Sequence, residues 1–145
     1  MKVLFLCTGN ACRSQMAEGW ARKLKGNVLE PYSAGTDPRG LDEQAVRVMA
    51  EAGVDISAQR SKPVRELSDE RFDYVVTVCD RANEACPMFP GKTKVVHVGF
   101  DDPPRLARGA KTEDEALAHY RRVCDEIRVF VETLPEGLET ARTVG

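Results

Sequence analysis

The sequence predicts an α/β fold in which a parallel sheet carries helices on both faces. Apolar segments of strand length, residues 2–7, 28–33, 73–78 and 94–98, alternate with segments of helical periodicity. This alternation is typical of parallel sheets, because each helical crossover returns the chain in the same direction. With 145 residues, 42% hydrophobic and 30% charged, the composition is that of an ordinary globular protein. We expect residues 1–145 to form a single domain.

Two helices are predicted in the first third of the chain. Residues 14–25 have helical periodicity, and their apolar face is formed by Met16, Ala17, Trp20 and Leu24. Residues 42–52 form the second helix, which ends at Gly53, because glycine is the residue most suited to a helix C-terminus. The second strand, residues 28–33, contains Pro31, which we expect to interrupt it.

The rest of the chain is less regular, apart from one long helix near its end. We expect a short helical turn at residues 68–72 and a loop from residue 100 to residue 111. Thr112 and Glu115 have the spacing of a capping box, which predicts the start of a helix. That helix runs to about residue 134, and we expect the tail beyond it to be frayed.

The first predicted strand runs directly into a segment that we call the oxyanion loop, Cys7-Thr8-Gly9-Asn10-Ala11-Cys12-Arg13-Ser14. Loop amides and the start of the following helix offer N–H donors and partial positive charge to an anion. Arg13 adds a fork of donors that fits the paired oxygens of a tetrahedral oxyanion. The same field predicts a lowered pKa for the Cys7 thiol, which makes Cys7 a candidate nucleophile.

Charge and cysteine content exclude several classes of function. A net charge of −2 with mixed signs does not suggest a nucleic-acid-binding surface. No stretch approaches the ~20 apolar residues that a membrane span needs. Five cysteines without a secretion signal argue against a disulfide framework, and their spacing does not match a zinc site. We therefore expect a cytoplasmic protein without a metal or other cofactor, whose cysteines include catalytic or redox thiols.

The oxyanion loop resembles the C-x5-R-[ST] loop of the low-molecular-weight tyrosine phosphatases and of the arsenate reductases that share their fold. The resemblance covers nearly the whole chain and is sharpest to the thioredoxin-coupled arsenate reductases. It rests on the segments Tyr32-Ser33-Ala34-Gly35, Val76-Thr77-Val78-Cys79-Asp80, Glu84-Ala85-Cys86-Pro87-Met88 and Gly99-Phe100-Asp101-Asp102-Pro103. It implies the strand order 2-1-3-4, in which Cys7 and Cys79 end neighbouring strands at the edge where parallel sheets bind ligands.

The resemblance implies a relay of three thiols that reduces arsenate to arsenite. Cys7 would attack arsenate, Cys79 would attack the Cys7 adduct, and Cys86 would move the disulfide outward for reduction by thioredoxin. In a regular helix Cys79 and Cys86 would lie ~10 Å apart. A disulfide needs Cα atoms within ~7 Å. We therefore expect the segment between these cysteines to loop out or partly unwind on oxidation.

The resemblance also assigns the remaining site residues. Asp102 would be the general acid, and Asp101 a solvated loop residue. Ser14 would donate its hydroxyl to the Cys7 thiolate. Arsenate, with phosphate or sulfate as competitors, would be bound by Thr8, Gly9, Asn10, Ala11, Cys12, Arg13 and Ser14. Cys124 is expected in the core, no function is assigned to either histidine, and the protein is expected to be a monomer.

Two other functions remain open at this point. A low-molecular-weight protein tyrosine phosphatase would need only Cys7, Arg13 and Asp102, and no reductant. A thiol-based oxyanion or redox sensor would hold the adduct and would not turn over. The phosphatase would be indifferent to Cys79 and Cys86, and the sensor would make at most one turnover per chain. The reductase would use both cysteines in every cycle.

One position departs from part of the family. Some thioredoxin-coupled relatives bind a potassium ion through residues that match Asn10, Glu18 and Ser33, together with a downstream aspartate. Lys62 stands where that aspartate would be. Either the Lys62 ammonium replaces the ion and pairs with Glu18, or Lys62 is an ordinary exposed lysine.

Overall fold

A computed structural model of the chain describes residues 1–89 and 91–140. In that part of the chain a parallel sheet with the order β2-β1-β3-β4 is formed by β1 (Lys2–Cys7), β2 (Glu30–Gly35), β3 (Tyr74–Thr77) and β4 (Lys94–His97). The predicted α/β fold, with four parallel strands in the order 2-1-3-4 and flanking helices, is confirmed. Because β1 lies between β2 and β3, its carboxyl end meets both neighbours. Cys7 pairs with Gly35, and Leu6 pairs with Thr77.

The central strands form the middle of the hydrophobic core. Residues 3–6 of β1 are fully buried, and all four residues of β3 are buried. Strands covered on both faces read as continuous apolar runs rather than alternating patterns, which is what these two segments show. Pro31 lies inside β2 and does not interrupt it. This is possible because β2 is an edge strand, where a missing backbone N–H leaves no neighbour unpaired.

The helices are α1 (Arg13–Lys25), α2 (Glu43–Glu51), α3 (Asp80–Glu84), α4 (Pro103–Ala107), α5 (Glu113–Glu132) and α6 (Glu136–Thr140). The long helix α5 packs against α1, α2 and α4, while the short helix α3 contacts β1 and β3. Thr112 caps α5 as expected, by accepting from Glu115 N. Two further caps were not expected: Asp42 accepts from Gln44 N at the start of α2, and Cys79 Sγ accepts from Ala82 N at the start of α3. Among the described residues, no helix is long and apolar enough to cross a membrane.

Besides the expected interruption at Pro31, four local expectations are wrong. The helical turn lies at Val64–Leu67 rather than at residues 68–72. The expected loop after residue 100 contains α4, because prolines are tolerated in the first turn of a helix, where N–H groups have no intrahelical acceptor.

The expected frayed tail contains α6, which buries Leu138 at 1% exposure, while residues 141–145 of that tail lie outside the described residues. Leu24, expected on the apolar face of α1, is 38% exposed.

Candidate active site

The oxyanion loop connects β1 to α1, and its carbonyl oxygens accept hydrogen bonds from outside the loop. The donors to the oxygens of residues 7–12 are, in order, Thr36 N, Asp37 N, Arg39 N, Gln15 Nε2, Asp42 N and Met16 N, at 2.8–3.2 Å. In a trans peptide the N–H points away from the preceding carbonyl. The amides of residues 8–13 therefore point toward the inside of the loop. Asn10 N shows this directly, because it donates to Cys7 Sγ at 3.2 Å. The loop is a ring of inward N–H donors, which suits a tetrahedral oxyanion.

Asn10 and Gly35 allow the chain to form this ring. Asn10 has a φ of 45°, in the left-handed region that asparagine tolerates better than most residues. Its side chain donates to Ser14 Oγ at 2.8 Å and accepts from Lys62 N at 3.0 Å. Gly35 ends β2 beside the loop, and a Cβ there would lie 2.6 Å from Thr8 O. The close approach of β2 to the loop therefore requires glycine at position 35.

Cys7 lies at the base of the ring and is 3% exposed. Its sulfur is 2.8 Å from Ser14 Oγ. Ser14 Oγ also accepts from Asn10 Nδ2 at 2.8 Å and keeps a second lone pair, so either Ser14 Oγ or Cys7 Sγ can be the donor between them. Burial nevertheless raises the pKa of the Cys7 thiol, against the lowering effects of the Ser14 hydrogen bonds and of Arg13. The lowered pKa predicted from sequence is therefore wrong, because desolvation of the sulfur outweighs the favourable contacts.

Cys79 is brought to the oxyanion loop, whereas Cys86 is not. Cys79 follows β3, is 4% exposed, and has its sulfur 3.4 Å from the Thr8 hydroxyl oxygen. Both Cys7 and Cys79 line a cleft of ≈ 980 Å³ over the loop. Cys86 lies beyond the C-terminal end of α3, outside the lining of this cleft, and is partly exposed. All three are free thiols.

Arg13 and Asp102 face each other across the cleft. Arg13 Nη1 donates to Phe100 O at 3.0 Å, and Nη2 lies 3.7 Å from Asp102 Oδ1. Asp102 precedes α4 but its side chain does not cap that helix. Its carboxyl group thus remains at the cleft, 36% exposed, in a position to exchange a proton with a bound ligand. Asp101 is exposed, as expected, and pairs with Arg122 of α5 at 3.0 Å.

Comparison with known proteins identifies the family. The chain matches the family described as low molecular weight phosphotyrosine protein phosphatase over residues 2–143. It belongs to this phosphatase family. Arsenate reductases from Bacillus licheniformis and Bacillus subtilis are 49% and 47% identical to it, over 92% and 90% of this chain and 94% and 95% of theirs. A solved structure described as an arsenate reductase in the phosphate binding state superposes with a TM-score of 0.72 at 28% identity, covering 92% of this chain and 95% of the other.

Asp42 belongs to the site but is not among the site residues predicted from the sequence. In the sequence Asp42 is only the first residue of the predicted second helix, yet in the structure it also lines the cleft, and its backbone N–H donates to Ala11 O at 2.9 Å. Tyr120 of α5 donates to Asp42 Oδ2 at 2.7 Å and so fixes the residue from the core side. Burial and this hydrogen bond raise the pKa of Tyr120. No local sequence pattern indicates that Asp42 belongs to the cleft, because its position is fixed by Tyr120, 78 residues further along the chain.

The other two cysteines are buried. Cys12 is 4% exposed, and burial followed by the nearby Asp42 carboxylate raises the pKa of its thiol well above the ordinary value. Cys12 lacks the Ser14 hydrogen bonds that counteract burial at Cys7, so it is the less suited of the two thiols to act as a nucleophile. Cys124 lies in the core, as expected, with its sulfur 3.4 Å from Met49 Sδ.

Lys62 and Glu18 do not form an ion pair with each other. Glu18 instead pairs with Arg22 at 2.9 Å and accepts from Ser33 Oγ at 2.6 Å. Lys62 Nζ donates to Arg60 O at 3.0 Å. The lysine is half-buried, and this burial lowers the pKa of its ammonium group. Lys62 is thus neither fully exposed nor in direct contact with Glu18, although the Glu18 charge acts on it through space.

Proposed function

We propose that this protein reduces arsenate to arsenite with three cysteines used in turn, Cys7, Cys79 and Cys86, and that thioredoxin regenerates it. The observation that carries the proposal is the position of Cys79, whose sulfur lies 3.4 Å from the Thr8 hydroxyl in the cleft that Cys7 also lines. A phosphatase needs the nucleophile, the anion-binding loop and an acid, and has no use for a second thiol there. The relatives named arsenate reductase support the same conclusion.

In the first step the Cys7 sulfur attacks arsenic. An S–As bond forms and an As–O bond breaks, and the departing oxygen leaves as water with a proton from Asp102. Arg13 and the inward amides of the loop stabilise the negative charge of the oxyanion. Because burial favours the protonated form of Cys7, its proton has to leave during the attack. A dianionic arsenate in the loop is a suitable acceptor for that proton.

In the second step the Cys79 sulfur attacks the Cys7 sulfur. Cys79 loses its proton, an S–S bond forms and the S–As bond breaks, so that the electron pair of that bond stays on arsenic and reduces it from As(V) to As(III); the departing arsenite takes up the proton. Arsenite then leaves. The burial of Cys79 at 4% exposure keeps the attacking thiol away from solvent and from competing disulfides.

In the third step the Cys86 thiolate attacks Cys79. A Cys79–Cys86 disulfide forms, and Cys7 is released for another cycle. Cys86 is partly exposed, so the disulfide moves from a buried position toward the surface, where a dithiol protein such as thioredoxin reaches it. The five-residue helix α3 lies between the two cysteines, and we infer that it unwinds when they join.

The test couples arsenate reduction to NADPH through thioredoxin and thioredoxin reductase. We expect repeated turnover by the wild type, a stalled single turnover by Cys86→Ser, and near wild-type turnover by Cys124→Ala, which removes a core thiol outside the cleft. Peptide mapping of the stalled variant is expected to show a Cys7–Cys79 disulfide. Equal steady-state rates for wild type and Cys86→Ser would refute the relay.

The phosphatase alternative has its own support in the family match and in the complete set of Cys7, Arg13 and Asp102. It predicts hydrolysis of an aryl phosphate without reductant, and no effect of replacing Cys79 or Cys86. A sensor would instead give at most one arsenite per chain with the reductase system present. The same assay therefore separates the three functions.

The proposal includes the setting of the enzyme. Free thiols persist in a reducing compartment, so we place the protein in the cytoplasm. Cys7, Arg13, Cys79 and Asp102 all come from one chain, so we propose that residues 1–145 act as one domain and as a monomer.

A further inference from the structure

His97 contacts the turn that carries Cys79, and the steps proposed above give it no role. It is the last residue of β4 and pairs in register with Thr77, the last residue of β3. Its Nδ1 lies 2.8 Å from Thr77 Oγ1, and its Nε2 lies 3.0 Å from Asp80 Oδ1. The imidazole ring therefore bridges the end of β3 and the first residue of α3, and Cys79 lies between these two attachment points.

The chemistry of the partners fixes the hydrogen atom on the Asp80 side of this bridge. The Asp80 carboxylate only accepts, so Nε2 of His97 carries a proton and donates it. Nδ1 has two oxygens of Thr77 within reach, the hydroxyl at 2.8 Å and the carbonyl at 3.1 Å, so this side of the ring is held by Thr77 whether Nδ1 accepts or donates. The backbone at Gly99 leaves room for the His97 ring because glycine has no Cβ. A Cβ at this position would lie 3.2 Å from Nε2. The bridge is thus a specific pair of hydrogen bonds in addition to packing.

We propose that His97 is a positioning residue for the thiol relay, which holds the Cys79 turn and α3 in the arrangement of the dithiol form. This inference rests on the proposed function, because it concerns the Cys79–Cys86 disulfide. As inferred above, α3 unwinds when that disulfide forms, and an unwound α3 no longer holds Asp80 against His97. The contact therefore stabilises the dithiol relative to the disulfide and makes the disulfide easier to reduce.

The equilibrium with glutathione measures this effect. Two glutathione thiols donate two electrons and two protons to the Cys79–Cys86 disulfide, which gives two protein thiols and one glutathione disulfide. Asp80 is 91% exposed, so solvent weakens its interaction with His97. A contact of this kind shifts an equilibrium by up to about fivefold. A threefold shift corresponds to about 15 mV in the potential of a two-electron couple.

Two substitutions of His97 separate a hydrogen-bonding role from simple space filling. Asparagine places a polar atom near the position of Nδ1 and does not reach Asp80. Glutamine reaches the position of Nε2 and donates to the carboxylate. We expect H97N to shift the equilibrium about threefold to fivefold toward the disulfide, and H97Q to remain close to the wild type. Asp80→Ala is expected to match H97N, and the double variant to show no further shift. His119→Asn on α5 is the control for loss of a histidine elsewhere.

The outcomes distinguish this inference from the proposed function. If oxidised wild type contains no Cys79–Cys86 disulfide by peptide mass mapping, the proposed function fails. If the disulfide forms with one equilibrium constant in wild type, H97N and Asp80→Ala, the role of His97 fails. Additive shifts in the double variant, or an H97Q shift as large as that of H97N, would also overturn it. Asp80→Ala changes an exposed side chain, so the test stands even if H97N does not fold.

Discussion

Replacing Gly35 with alanine tests whether the shape of the oxyanion loop depends on the close approach of β2. The new Cβ would lie 2.6 Å from Thr8 O and 3.0 Å from Asn10 N, both backbone atoms of the loop. Contacts of this kind become ordinary at roughly 3.4 Å, so the loop or the end of β2 has to move by about 0.8 Å. Overpacking of this size costs about 1–3 kcal/mol in the free energy of unfolding.

The functional cost of G35A is expected to exceed its cost in stability. Displacement of reacting groups by about 1 Å reduces rates by about 10²-fold, and here the displaced groups are the inward amides that bind the oxyanion. We therefore expect kcat/KM for arsenate to fall about 10- to 100-fold, and the affinity for inorganic phosphate to fall in parallel. Urea unfolding, the NADPH-coupled assay and calorimetric phosphate titration measure the three quantities.

Gly109→Ala is the matched control for G35A. A Cβ at Gly109 meets only Leu106 O, at 3.8 Å, an ordinary contact. This variant is expected to keep the phosphate affinity and the activity of the wild type. If G35A behaved like this control in phosphate affinity and in activity, the argument that glycine is required beside the loop would be refuted.

Four further measurements test the electrostatics of the site. Ser14→Ala removes the hydroxyl that lowers the pKa of Cys7, so the thiolate absorbance near 240 nm should appear at a higher pH than in wild type; an unchanged titration would contradict the assigned hydrogen bond. Asp102→Asn should lower kcat by about 10²- to 10⁴-fold, the usual range for a general acid, with little change in phosphate affinity, and an unchanged kcat would exclude it as the acid. Burial raises the pKa of Cys7 and Cys12 in the folded state, so their contribution to stability is complete below the unfolded thiol pKa of about 8.5 and is lost as the pH rises through the folded values. Under reducing conditions the free energy of unfolding should therefore fall as the pH rises above about 8.5, and by less in Cys12→Ala. If the Lys62 ammonium replaces a potassium ion, activity should be similar in potassium and sodium salts, and strong activation specific to potassium would rule the replacement out.

The parallel strands could be predicted from the pattern of the sequence, whereas their order, and with it the meeting of two thiols, was implied by the family resemblance. A buried apolar run ending at Cys7 and another ending near Cys79 give two parallel strands, and adjacency in the sheet brings their ends together. The resemblance that supplied the strand order was carried by local motifs. No detail of side-chain packing was needed for this part of the site.

The pKa of Cys7 could not be predicted in the same way. The sequence shows the loop amides, Ser14 and Arg13, which all favour the thiolate. It does not show how completely the sulfur is enclosed, which is a property of the whole packed core. Burial leaves Cys7 3% exposed, and the resulting desolvation changes the direction of the shift.

The missed helices have a similar explanation. Pro103 and Pro104 were interpreted as loop residues, although proline is compatible with a helix start, where α4 places them. The helix α6 is only five residues long, too short to be stable alone, and it exists because Leu138 packs into the core. Tertiary contacts thus decide both segments, and local periodicity does not report them.

The hydrogen bonds that the loop carbonyls accept from outside the loop affect how well the protein can distinguish arsenate from phosphate. The carbonyl of each residue from 7 to 12 is bonded to a partner outside the loop, so the donors keep their directions whichever tetrahedral anion occupies the loop. Phosphate and arsenate share shape and charge, so neither these amides nor the Arg13 guanidinium can tell them apart. In the proposed relay, discrimination then depends on the chemistry after binding, because arsenic accepts the electron pair of a breaking S–As bond and phosphorus does not. If that relay operates, abundant phosphate should slow turnover by occupying the loop.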